Sequence, residues 1–150
     1  MGELAGAEEV VNRIRARAQQ DVMGRDEVIE LALIALLSNG HLLLEDYPGS
    51  GKTTLAKTIG ESISASEADS THETLTRETL ARVPFRRVQF TPDMLPSDIT
   101  GTMVFDAQQS EFSFRPGPIF SYVLLVDEIN RTSPKVQSAM LEAMSYRVAT

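Results

Sequence analysis

The 150 residues contain no cysteine. That excludes a disulfide framework and any thiolate-held metal, and it suits a cytoplasmic location, which is the one expected. Positive charge is scarce. Fourteen Lys and Arg against 21 Asp and Glu leave a formal net charge of −7. A surface this acidic argues against binding duplex nucleic acid or a membrane across a whole face, so neither is expected as a partner. Long apolar runs are missing too. LALIALL (31–37) and YVLLV (122–126) are the longest, far short of the roughly 20 residues that span a bilayer. The opening MGELAGAEEVV has no positive leader ahead of an apolar stretch, so no signal peptide is expected. Internal repeats are lacking as well. What is present is ordinary: 42% hydrophobic and 23% charged residues, enough for one globular domain with a real core.

Apolar spacing divides the chain into elements. Val10, Val11, Ile14 and Ala18 fall at helical intervals within 7–20. Gly24 breaks the pattern, Asp26 suits the N-cap of a second helix, and Asn39-Gly40 stops it. HLLLE (41–45) is continuously apolar, which predicts a doubly buried strand. A glycine-rich turn follows, then a helix over KTTLAKTIGESI. Residues 64–82 are polar and predict a surface insertion, partly helical around 73–82. RRVQF (86–90) predicts a second strand, and TPDMLPSDITG (91–101) a loop. TMVFD (102–106) and EFSFR (111–115) predict a hairpin. YVLLV predicts a buried strand that ends at Asp127-Glu128. Pro134 to about Tyr146 predicts a helix with Val136, Ala139, Met140 and Ala143 on one face. Strands that alternate with helices predict an α/β fold with a mostly parallel sheet.

The stretch DYPGSGKT (46–53) carries the chemistry. The N–H groups of a helix's first turn have no intrahelical acceptor and sit at the positive end of its dipole. A preceding turn with Gly49 and Gly51 can aim several such groups at one anion. Lys52 adds a point charge for the outer phosphates, and Thr53 offers a hydroxyl for Mg²⁺. By composition alone, G-x-G-K-[ST] arises in roughly one chain in two hundred of this length, and the flanking strand and helix patterns make chance rarer still. Asp46 departs from the pattern, since such loops begin with glycine. At about 8 Å and an effective dielectric of about 20, its carboxylate would repel each phosphate charge by about 2 kcal/mol. The expectation is that it points away and that the site binds nonetheless.

Asp127 and Glu128 end an apolar strand. Neighbours on a strand face opposite sides, so the two acids suit different tasks. The first can support Mg²⁺ and the second can orient or deprotonate a water.

Taken together, PGSGKTTLAK and VLLVDEINR resemble the Walker A and Walker B segments of AAA+ ATPases. With VMGRDEVIELALIALLSNGHLLLE, RVQFTPDMLPSDITGTMVFD, EFSFRPGPIF and LLVDEINRTSPKVQSAMLEAM, the chain is similar to the MoxR family over most of 21–146. The resemblance implies a P-loop NTPase three-layer αβα sandwich, with an N-terminal helix over 1–20 and part of an ATPase core over 21–150. The implied core carries an insertion at about 62–84 and a hairpin at about 100–115 that works on partner proteins. It implies that Pro48, Gly49, Ser50, Gly51, Lys52, Thr53 and Thr54 wrap the phosphates of ATP. It also implies that Thr53 and Asp127 support Mg²⁺, that Glu128 activates water, that Asn130 helps hold that water, and that Val22, Met23 and Gly24 lie near adenine. The expected partners are a homo-oligomeric ring, a hexamer by analogy, and a client or adaptor protein with a metal-dependent adhesion domain.

The family's strand order of 5-1-4-3-2 needs a fourth strand between the phosphate-loop strand and the acidic strand. No such strand is legible before Thr150, nor is a sensor residue, an arginine finger or a lid. The 150 residues alone are therefore expected to be poorly stable and weakly active. Two other readings stay open: a nucleotide-binding or partner-binding scaffold without turnover, and a small-molecule P-loop kinase. His41 and His72 carry no ligand set and read as structural and solvated respectively. Arg13, Arg15 and Arg17 read as a solvated helix face, and Arg86-Arg87 as a strand edge. Arg131 is either solvated or at a subunit boundary.

Overall fold

The computed structural model describes residues 2–47, 49–68, 83–108 and 110–146. Pro48, His72, most of the expected insertion and the helix expected around 73–82 lie outside the described residues. The chain falls into two compact units, Met1–His72 and Glu73–Thr150.

Three helices build the first unit: α1 (Gly2–Asp21), α2 (Asp26–Leu37) and α3 (Lys52–Ala68). Each turns an apolar stripe inward. Ile14 and Ala18 of α1 are buried, as are Ile29, Ala32 and Leu33 of α2 and Leu55, Ala56 and Ile59 of α3. Two buried hydroxyls are matched by acceptors. Thr58 donates to the Asp21 carboxylate at 2.6 Å, and Ser62 donates to the Thr58 carbonyl at 2.7 Å, so neither incurs the cost of an unmade bond. The helix N-cap falls on Arg25, one residue before the expected Asp26. The helix ends at Leu37, just before Asn39 turns left-handed at φ 57°. The basic face of α1 is less solvated than expected. Arg15 pairs with Glu30 on α2, and Arg17 reaches Glu61 on α3 at 3.1 Å.

One expected element does not form. Residues 41–45 adopt no strand, and Leu43 is 79% exposed. An apolar run supplies only half of a strand; the other half is a ladder partner. Among the described residues none pairs with this segment. The leucines are patterned for burial without a neighbouring strand to complete it.

The second unit holds two ladders. Strands β1 (Val83–Gln89) and β4 (Ser121–Asp127) run parallel, with Gln89 opposite Asp127. Between them the chain makes helix α4 (Pro96–Thr100) and an antiparallel hairpin of β2 (Gly101–Asp106) and β3 (Glu111–Pro116). The hairpin and the acidic strand lie within a residue or so of where alternation puts them. Helix α4 was expected as loop. It forms because Pro96 presets the first turn and Asp98 reaches back to accept the Leu95 N–H at 2.8 Å. Helix α5 (Pro134–Tyr146) has the expected bounds. Phe90, Ile99, Val136 and Met140 form the buried core here, with Val88, Met94, Ile119, Leu124, Val126 and Met144 packed around it. The parallel pair and its covering helix are the α/β architecture that the sequence predicts.

The two kinds of leucine and phenylalanine are separable by measurement. Phe90 has no exposed surface, so Phe90→Ala is expected to cost about 3–5 kcal/mol. Leu43→Ser is expected to stay within about 0.5 kcal/mol. Urea unfolding of the two variants beside wild type checks both. A cost at Leu43 that rivals the one at Phe90 contradicts the exposed placement.

Candidate nucleotide site

The phosphate-loop residues lie in the first unit. Gly49 and Gly51 hold φ of +83° and +88°, a backbone region that glycine enters without the steric cost borne by other residues. A Cβ on Gly51 would also meet Val22 Cγ1 at 3.4 Å. These two turns deliver the chain into α3 at Lys52. The first helical bond runs from the Leu55 N–H to the Gly51 carbonyl at 2.9 Å. The N–H groups just ahead of it lack intrahelical acceptors and mark the positive end of a 17-residue helix. Lys52 and Thr53 are half-buried, and Thr54 is exposed. Ser50 Oγ is buried and makes no well-formed hydrogen bond, although it lies close enough to Asp46 to help stabilise that carboxylate.

Both carboxylate oxygens of Asp46 have partners. Its Oδ2 lies 2.8 Å from Arg25 NH1, and its Oδ1 accepts the Tyr47 N–H at 2.8 Å. The Tyr47 N–H, aided by the Arg25 charge and opposed by partial desolvation, holds this carboxyl below the usual carboxylate range. The Asp46 carbonyl accepts the Lys52 ammonium at 2.5 Å. A cavity of about 350 Å³ opens beside these groups, lined by Val22, Arg25, Leu42, Asp46, Gly51 and Lys52 among others. Of the three residues expected near adenine, Val22 is buried and lines this cavity. Gly24 makes the turn at φ +73°, and Met23 is 86% exposed.

The acids lie in the second unit. Asp127 closes β4, and Glu128 follows with φ 57° and ψ 42°. A left-handed backbone on a residue with a side chain costs on the order of 1 kcal/mol or more and is concentrated at functional sites. It turns the chain sharply into a short 3-10 turn, Ile129–Arg131. Gln137 of α5 secures this turn by donating to the Ile129 and Thr132 carbonyls at 3.3 and 3.2 Å. Each acid has a partner. Arg87 donates to Asp127 Oδ2 at 2.6 Å, while Gln89 donates to Glu128 Oε2 at 3.1 Å and Arg131 pairs with Glu128 Oε1 at 3.3 Å. Arg87 is therefore engaged with an acid while still more than half exposed, and Arg131 has an intrachain partner. Asn130 is exposed on the turn. Sequence reading missed Arg25, Gln89 and Gln137 as parts of these sites. The i, i+2 spacing of Arg87 and Gln89 on a strand was a usable signal, because it puts both on one side.

The donor sets fit the groups they are expected to hold. Free N–H groups with one ammonium match a polyphosphate. Among the described residues there is no cluster of three or more His, Cys, Asp or Glu that could hold a metal ion.

Comparison with known proteins agrees. Residues 41–150 match the ATPase family associated with various cellular activities (AAA). The chaperone MoxR1 of Mycobacterium tuberculosis is 36% identical over 144 residues, covering 96% of this chain. The chain belongs to the MoxR branch of the AAA ATPases. An uncharacterized Bacillus subtilis protein, YeaC, is 45% identical over 94% of the chain. The crystal structure of a candidate ATPase from Cytophaga hutchinsonii superposes with a TM-score of 0.61 at 37% identity, over 96% of this chain and 40% of that one. The chain spans 36% and 33% of the length of the two curated relatives. Within the described residues no helix is long and apolar enough to cross a membrane.

Two outcomes follow from this geometry. Replacing Glu128 with glycine removes the left-handed penalty, so Glu128→Gly is expected to keep or raise the unfolding midpoint, by up to about 1 kcal/mol. The ion pair with Arg131 that is lost at the same time is exposed and worth little. A clear loss of stability, read by urea unfolding, goes against the strained backbone. The second outcome concerns pH. The depressed pKa of Asp46 contributes stability above its unfolded value of about 4, and that stability is lost as pH falls through the folded value. Wild type and Asp46→Asn are expected to differ at neutral pH and to converge only as pH falls from about 4 through the lower folded value.

Proposed function

We propose that this chain binds ATP and takes part in its magnesium-dependent hydrolysis as a section of a chaperone-like MoxR ATPase. The observation that carries the reading is the Gly49–Gly51 turn opening α3 at Lys52, with first-turn N–H groups that have no intrahelical acceptor and an ammonium at its head. Gly49 to Thr54 hold the phosphates, together with Pro48, and Lys52 leaves the Asp46 carbonyl for the outer ones. Val22, with Met23 and Gly24 on the same turn, supplies the adenine side. Thr53 and Asp127 are the protein's ligands for Mg²⁺, which when bound neutralises charge on the phosphate oxygens. Glu128 takes the proton of the attacking water, and Asn130 helps to orient that water. Family membership supports a homo-oligomeric ring, a hexamer by analogy, and a client or adaptor partner carrying a metal-dependent adhesion domain. A neighbouring subunit in such a ring then supplies further positive charge at the phosphates.

A second reading, a partner-binding scaffold without turnover, has one observation in its favour. Met103, Phe105, Phe112 and Phe114 share a face of the hairpin through the pairs Met103–Phe114 and Phe105–Phe112, and all four are exposed. The kinase reading has none, since paired acids after a strand suit water activation better than a phosphate acceptor.

Titration with a fluorescent ATP analogue and a phosphate-release assay test the main reading. Lys52→Ala is expected to abolish binding. Glu128→Gln is expected to retain binding while phosphate release falls by about 10²–10⁴-fold. Equal partner capture by wild type and Lys52→Ala, with no phosphate release from either, favours the scaffold.

A further inference from the structure

Asp46 occupies the position where a phosphate loop ordinarily has no side chain at all, and Arg25 is what makes that tolerable. The two residues come from separate segments: Arg25 from the turn before α2, Asp46 from the start of the loop. Their side chains meet at 2.8 Å. Both line the same cavity as Ser50, Gly51 and Lys52. The second carboxylate oxygen is tied to the Tyr47 N–H, and the carbonyl of the same residue receives Lys52. Asp46 is thereby held at three points, and its negative charge is met by a guanidinium.

Resting on the nucleotide-binding reading above, we propose that Arg25 is a positioning residue for the nucleotide. It holds and neutralises the Asp46 carboxylate so that the acid does not repel the polyphosphate, and the pair sets how strongly the site prefers ATP over ADP and adenosine. The charge logic is specific. The pair is neutral, so removing Arg25 leaves one negative charge beside the cradle. Removing Asp46 leaves one positive charge. Removing both restores neutrality. Each effect grows with the number of phosphate charges and shrinks with added salt. A purely structural tie between the turn and the loop predicts none of this ordering, because breaking it from either side would weaken every ligand alike.

The test is a double-mutant cycle on the 150-residue chain. Calorimetric affinities for ATP, ADP and adenosine are measured at two salt concentrations, with thermal melts as folding controls. Arg25→Gln is expected to weaken ATP by about tenfold or more and ADP by less, and to leave adenosine within about twofold. Asp46→Asn is expected to tighten ATP, and the double variant to return to within about threefold of wild type. Arg25→Lys, which keeps the charge, is expected to remain near wild type. If Arg25→Gln fails to fold, Asp46→Asn and Arg25→Lys still decide the matter: weaker ATP binding by Asp46→Asn overturns the proposal. So does an Arg25→Gln loss that is equal for adenosine, or one that Asp46→Asn does not rescue. A wild-type chain that binds neither ATP nor ADP overturns the nucleotide reading itself. Wild-type binding with a flat cycle overturns only the role of Arg25.

Discussion

A helix begins at Lys52 with backbone N–H groups that no intrahelical carbonyl receives, and the loop before it bends twice through backbone angles that glycine supplies most cheaply. Donors at such a helix start are open to water or to an anion. The surroundings suit an anion: a Cβ on Gly51 would meet Val22, and Lys52 rests on the carbonyl of Asp46. Placing an acid at the mouth of such a receptor works against it. The fold answers with Arg25, drawn from a turn some twenty residues upstream in sequence.

Much of this was legible in the sequence, for definable reasons. The loop was readable because its chemistry is local: two glycines, a lysine and a hydroxyl within a few residues. The hairpin was readable because both strands alternate and lie a few residues apart. Helix α5 was readable because proline opens it and its apolar positions keep one period. Where reading failed, the cause was a partner distant in sequence. HLLLE has the composition of a buried strand but no ladder partner among the described residues, and composition cannot supply one. Arg15, Arg17 and Arg87 looked solvated because each finds its acid on another element. The left-handed Glu128 left no trace in the sequence, since nothing in the residue type favours that conformation.

The acidic residues of the two units share a feature. Asp46, Asp127 and Glu128 each carry a cationic or amide partner with no nucleotide present. A partner of this kind favours one rotamer of the carboxylate. The partners differ in how firmly they hold. Arg87 and Arg131 are more than half exposed, and ion pairs of that kind are worth no more than about 1 kcal/mol. They orient Asp127 and Glu128 without locking them, which suits groups whose proposed tasks require them to take a different partner later. Asp46 is bound more completely, with one oxygen on the guanidinium and the other on a backbone N–H. Both oxygens of Glu128 are engaged as well, so the contrast lies in the kind of partner: exposed side chains hold Glu128, whereas Asp46 is tied to the backbone N–H of its own neighbour. A side-chain partner can swing away when another group arrives; a main-chain N–H one residue on cannot.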